Sequence, residues 1–118
     1  MLKALVVAAV AAALIAVPAY GKSSAVTLKG EAGPGYTIEV TKAGKDVKTI
    51  KAGTYKIKVE DKSSIHNFHL FGPGLNKKTS VPFTGETTWT IKLKPGKYTY
   101  QCDAHASLGM KGSFKVTK

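Results

Sequence analysis

The chain has 118 residues, a length that suits one domain. Its 18 basic residues, all lysine, face seven acids, giving a formal charge of +11 that favours acidic partners; the lack of arginine argues against a nucleic-acid binder, which reads base edges with bidentate arginine. A single cysteine excludes an internal disulfide framework.

In chain order, Met1-Leu2-Lys3 is a short basic opening, Ala4 to Val17 an apolar run, and Val17-Pro18-Ala19-Tyr20-Gly21 a stretch of small residues. That is the anatomy of a secretory signal peptide. Residues 1–21 are expected to form a signal helix, cut after Ala19 or after Gly21, and residues 22–118 to form one domain. The apolar run is shorter than the roughly 20 residues that span a bilayer, so no stable membrane insertion is expected after cleavage.

The mature part carries no helix pattern. Glycine and proline punctuate it, and β-branched and aromatic residues alternate with polar ones. Residues 25–29 predict a strand with Val26 and Leu28 inward; Gly33-Pro34-Gly35 is a turn. Residues 36–41 alternate again, with Ile38 and Val40 inward; 43–46 is a polar loop and 47–50 a short edge segment. Residues 54–60 bury Tyr55, Ile57 and Val59 between lysines. A strand over 65–71 would set His66, Phe68 and Leu70 on one face and Asn67, His69 and Phe71 on the other. Gly72-Pro73-Gly74 ends it, and 75–85 reads as irregular. Residues 87–93 turn Trp89, Ile91 and Leu93 inward, and Lys94-Pro95-Gly96-Lys97 should close a hairpin onto the strand of Tyr98, Tyr100 and Cys102. Residues 113–117 finish the chain with Phe114 and Val116 inward. The expected fold is all-β: an antiparallel Greek-key sandwich or barrel of about seven to eight strands.

Cys102, His105 three residues on and Met110 five beyond it gather sulfur and nitrogen donors in one short span, with His66 far upstream. Two imidazoles, a thiolate and a weak thioether form the donor set of a mononuclear blue-copper (type 1) centre, in which soft sulfur suits the reduced ion and imidazole suits both oxidation states. Zinc accepts similar donors. With four protein donors no position stays open for water or substrate, so the chain is expected not to be an enzyme. Cys102 with His105 as a thiol nucleophile and base would leave Met110 without a role. Met110 and Cys102 taken singly read as core packing, and the lysines as a solvated surface. His69 opposes His66 in parity and reads as exposed or hydrogen-bonded, not as a ligand.

His66-Asn67, followed at a distance by Cys102-x-x-His105-x-x-x-x-Met110, resembles the type 1 copper motif of plastocyanins and related cupredoxins. The resemblance spans most of the mature chain. It implies one copper ion held by His66, Cys102, His105 and Met110, with Asn67 tying its strand to the cysteine loop by hydrogen bonds. It also implies an apolar patch around His105 where electrons enter, with Ala104, Ala106, Leu108, Pro34 and Pro73 as its members here. The lysine-rich charge departs from the acidic patches of plant plastocyanins. The run His66-Asn67-Phe68-His69-Leu70 with Gly72-Pro73-Gly74 is more similar to small bacterial cupredoxin-domain proteins, including the EfeO-type group.

The function expected from these features is that of an exported one-electron carrier of the bacterial periplasm or exterior. It would be monomeric and docked by its lysines to an acidic redox protein such as a cytochrome or an oxidase domain. The rival is a copper storage, delivery or metal-uptake accessory module without a redox partner.

Overall fold

The computed structural model describes residues 26–118; the expected signal helix and both cleavage points lie outside them. Ten strands are present among the described residues: β1 (Val26–Ala32), β2 (Ile38–Lys42), β3 (Lys45–Asp46), β4 (Thr49–Lys51), β5 (Gly53–Asp61), β6 (His69–Gly72), β7 (Leu75–Lys78), β8 (Gly85–Leu93), β9 (Gly96–Gln101) and β10 (Lys111–Thr117). They form two five-stranded sheets, β3-β2-β1-β5-β8 (sheet I) and β4-β10-β9-β6-β7 (sheet II). Among the described residues the only helical piece is a 3-10 turn, Ala106–Leu108.

Alternation decides which side each strand buries. Leu28, Val40, Ile57, Val59, Ile91 and Leu93 face inward from sheet I; Ile50, Leu70, Tyr98, Tyr100, Phe114 and Val116 face them from sheet II. Aromatic rings run through this core: Phe68 stacks on Tyr100 at 6.3 Å and Tyr98 on Phe114 at 5.7 Å, offset contacts worth about 0.5–1.5 kcal/mol beyond area burial. Val26, expected inward, is exposed because it begins β1 at the rim of the sandwich, past the facing core.

The all-β sandwich stands as expected, but four details differ. The sheets are mixed: β1 pairs parallel with β5, and β4 with β10. Two extra short strands arise, because residues 42–45 close a tight turn that pairs β3 with β2, and residues 75–78 pair with β6. The 94–97 turn makes no hairpin: β8 pairs with β5 in sheet I, and β9 with β10 and β6 in sheet II. The Lys94 amide, which a hairpin ladder would use, instead donates to the Tyr98 hydroxyl at 2.9 Å, and that hydroxyl donates to the Pro73 carbonyl at 2.6 Å. Finally, the strand expected over 65–71 begins only at His69. Its first half is drawn off the ladder because the Phe68 amide donates to Thr79 Oγ1 at 2.9 Å. His66, Asn67 and Phe68 are all buried there, so simple parity fails over those three residues.

Strand direction gives the sandwich two poles. Ala32, Asp61 and Gly85 end one side of sheet I, and Gln101, Lys111 and His69 end the same side of sheet II. Cys102 follows Gln101 at that pole.

Candidate metal centre

Cys102 leaves β9 on its inward parity and is fully buried and unpaired. The chain then folds back at once. The His105 amide donates to the Cys102 carbonyl at 3.1 Å, the Leu108 amide to the His105 carbonyl at 2.9 Å, and the Met110 amide to the same His105 carbonyl at 3.2 Å. The Cys102 amide donates to the Met110 carbonyl at 3.1 Å, closing a ring that carries Cys102, His105 and Met110. Gly109, at φ 94°, ends the 3-10 turn in the left-handed conformation that lets the chain reverse into β10.

His66 comes from the other side of the pole. Its amide donates to the Ser63 carbonyl at 3.1 Å. Gly33, at φ 80°, lies against it: a Cβ there would stand 3.0 Å from His66 Cδ2. The Nδ1 atoms of His66 and His105 are 3.1 Å apart, and they stand 3.8 and 3.4 Å from Cys102 Sγ. The three donor atoms lie within 4.8 Å of one another. Nitrogen and sulfur bonded to one ion at about 2.0 and 2.3 Å stand roughly 3–4 Å apart, so the spacing fits a single mononuclear ion. Met110 is buried, with its backbone bonded to both Cys102 and His105.

The surrounding polar groups lock this arrangement. Asn67 accepts from the Asp103 amide at 2.7 Å and donates from Nδ2 to Asp103 Oδ2 at 3.0 Å and to the Thr79 carbonyl at 3.1 Å. The His66 segment is thereby bound to the residue after Cys102. Asp103 is the hub of this network: Gln101 Nε2 donates to Oδ1 at 2.9 Å, and His69 Nδ1 lies 2.8 Å from the same oxygen. Partial burial would raise its carboxyl, but the hydrogen bonds from Gln101, His69 and Asn67 outweigh that and hold it down at about 2. His69 stands outside the donor cluster, with its Nε2 2.6 Å from Asn76 Oδ1. Asp61, also buried, accepts from the Ser63 amide at 3.0 Å on Oδ1 while its Oδ2 has no partner; burial raises its carboxyl.

Around His105, Ala104 and Leu108 are exposed, the latter at 72%, and Ala106 is half-buried. Pro34, beside Gly33, is exposed at the same pole. Pro73 is a correction: β6 runs antiparallel to β9, so Pro73 falls at the opposite pole, where it meets Gly96. Two residues not singled out from the sequence take their place there. Tyr36, 58% exposed, sets its ring edge-on to His105 at 4.6 Å and to His66 at 5.4 Å, and the exposed Ile65 precedes His66. A tyrosine one residue after a Gly-Pro-Gly turn was the only cue in the sequence.

Fold and site together define a class: a β-sandwich metalloprotein whose single soft-donor centre sits at one pole, closed by a loop between the last two strands. The chain belongs to the plastocyanin/azurin family of copper-binding proteins, whose family model matches residues 19–117. It is a cupredoxin with a type 1 copper site, and a copper-binding protein, not an enzyme. Its fold is shared by the copper protein rusticyanin, at 23% identity over 81% of this chain and 80% of that one, with a TM-score of 0.61. Rusticyanin from Thiobacillus ferrooxidans in a second structure gives 24%, 81%, 79% and 0.54. Auracyanin from the photosynthetic bacterium Roseiflexus castenholzii matches at 21% identity over 81% of this chain and 100% of that one, with a TM-score of 0.57.

Proposed function

We propose that the protein is an exported one-electron carrier whose copper is held by His66, Cys102, His105 and Met110. The observation that carries this reading is the convergence of two Nδ1 atoms and one Sγ, from two separate parts of the chain, within 4.8 Å. A bound copper supplies a centre that cycles between two oxidation states. The protein's part is to keep the donors still. Cys102 and His66 are fully buried, and Asn67, Thr79 and Asp103 brace both sides, so little needs to move when the charge changes. Met110 would supply the weak thioether donor, its backbone held in the same ring that sets Cys102. His105, half-buried within Tyr36, Ile65, Leu108, Ala104, Ala106 and Pro34, is where electrons enter and leave. The buried thiol favours this reading over copper delivery, which needs donors an acceptor can reach.

Residues 1–21 act as the export signal in this reading, and the lysine surface receives an acidic redox protein, a cytochrome or an oxidase domain, in the periplasm or outside the cell. Adding Cu(II) to the mature protein is expected to give an intense visible thiolate-to-copper band, and Cys102→Ser to abolish it while the β-sheet spectrum persists. Fast reversible exchange with an acidic cytochrome, slowing as salt rises, identifies the carrier. Ready transfer of copper to an apo-acceptor without such exchange would identify a delivery module instead.

A further inference from the structure

The two sheets share the chain's lysines but not its acids. The strands of sheet I hold Glu31, Glu39, Asp46, Glu60, Asp61 and Glu86. The strands of sheet II hold Lys51, Lys77, Lys78, Lys97, Lys111 and Lys115 and not one acid. The register sharpens the contrast. Glu39, Glu31, Glu60 and Glu86 stand opposite one another in a single row across β2, β1, β5 and β8. Lysines pair with three of its four members: Lys62 lies 2.7 Å from Glu31, Lys29 3.4 Å from both Glu31 and Glu60, and Lys58 3.4 Å from Glu86.

Sheet II shows the reverse. Lys97 and Lys115 face each other directly across β9 and β10, a like-charge cross-strand pair that costs stability with no acid beside it. The row Lys111, Gln101, His69 and Lys78 crosses the sheet at the metal pole, where Gln101 and His69 both reach the Asp103 carboxylate just past β9, the one acid at this edge among the described residues. Between these rows lies an uncharged strip of Ser113, Thr99 and the half-buried Phe71. A low-charge centre with charges around it is the anatomy of a transient protein interface. Its upper row is one residue from two ligands, since Gln101 precedes Cys102 and Lys111 follows Met110.

We propose that the outer face of sheet II is the docking surface for an acidic protein, and that the outer face of sheet I is not. This rests on the carrier reading, and it assigns to one face what net charge alone would spread over the whole surface. A partner's carboxylates meet Lys97, Lys115, Lys111 and Lys78, and its redox group is brought up to the metal pole. Steering by a patch of one sign raises association rates, whereas the balanced face of sheet I steers weakly.

The test uses two copper-loaded double variants with the same change in net charge. Lys97→Glu/Lys115→Glu reverses sheet II, and Lys56→Glu/Lys92→Glu reverses lysines of sheet I. Each is measured for electron exchange with an acidic monohaem c-type cytochrome at low salt, and for reduction by hydroquinone, which is uncharged. The sheet II variant is expected to slow the cytochrome reaction by about tenfold or more and flatten its salt dependence, the sheet I variant by less than about threefold, with hydroquinone reduction unchanged in both. Equal slowing in the two variants overturns the proposal while leaving the carrier reading intact. Amide shift mapping with the same cytochrome separates the opposite case. Shifts confined to β6, β9 and β10 without electron exchange keep the docking face and remove the carrier. Shifts on β5 and β8 overturn the face. Binding to anionic phospholipid vesicles that only the sheet II variant loses, with cytochrome exchange unaffected, would assign the face to a membrane and overturn the protein partner.

Discussion

Asn67→Ala probes how the two halves of the metal pole are joined. The side chain makes three hydrogen bonds, at 2.7, 3.0 and 3.1 Å, and is almost wholly buried. Each contributes about 1 kcal/mol net, and truncation leaves the Thr79 carbonyl, in a buried residue, without this donor; the expected loss is about 3 kcal/mol. That is a large share of the roughly 5–15 kcal/mol typical of a domain. With a urea m-value of about 1 kcal/mol/M, the midpoint of the copper-free protein should fall by about 3 M. Asn67→Asp keeps the shape but turns two donors into an acceptor facing the Asp103 carboxylate and the Thr79 carbonyl. It should therefore be less stable than the alanine variant at neutral pH. In the copper-loaded alanine variant the visible band should shift, because the amide after Cys102 has lost its acceptor. If both variants unfold within about 0.5 M of the parent, the clamp between His66 and the cysteine loop has no energetic weight and the reasoning fails.

Acid should weaken the copper-free protein through Asp103. Its folded pKa of about 2 lies below the ordinary 3.8, so the fold favours the ionised form; the contribution is complete above pH 3.8 and gone once pH falls past about 2. Urea midpoints from pH 5 to 2 should drop more steeply in the parent than in Asp103→Asn. Ala43 sits at φ 51° beside Gly44 at φ 81°, in the two-residue turn joining β2 to β3. Ala43→Asn suits that left-handed position and should raise stability by about 1 kcal/mol, read as a higher melting temperature with an unchanged copper spectrum. Gly33→Ala combines a φ of 80° with a Cβ 3.0 Å from His66 Cδ2; it should cost about 1–3 kcal/mol and weaken copper retention against a chelator, and a wild-type off-rate would contradict the contact.

Much of the sandwich was legible because strand parity is a local property. Tyr55, Ile57 and Val59, then Tyr98, Tyr100 and Cys102, then Phe114 and Val116 all turn inward as their alternation requires. Pairing is not local. Nothing near Leu93 or Tyr98 tells that the Lys94 amide will be taken by a hydroxyl four residues on, sending the chain across the core. The pole at which a turn lies is equally hidden. Gly33-Pro34-Gly35 and Gly72-Pro73-Gly74 are identical in sequence, yet one flanks His66 and the other packs against Gly96 at the far end. The donors were readable from residue type and spacing. Tyr36 and the Asp103 hub were not, since their roles exist only after distant segments meet.

The last strand, β10, is an interior strand, held between β4 and β9. A polypeptide emerging from its N-terminus can therefore lay down sheet I early, but sheet II stays split until residues 111–117 arrive. The thiol-bearing loop comes immediately before them. β9 pairs directly with β6, so the upstream imidazole and the thiol can meet before β10 is in place, but the Met110 carbonyl that accepts from the Cys102 amide is fixed only where β10 begins. The ring of backbone bonds that presents the thiol is therefore closed only when β10 joins its two neighbours.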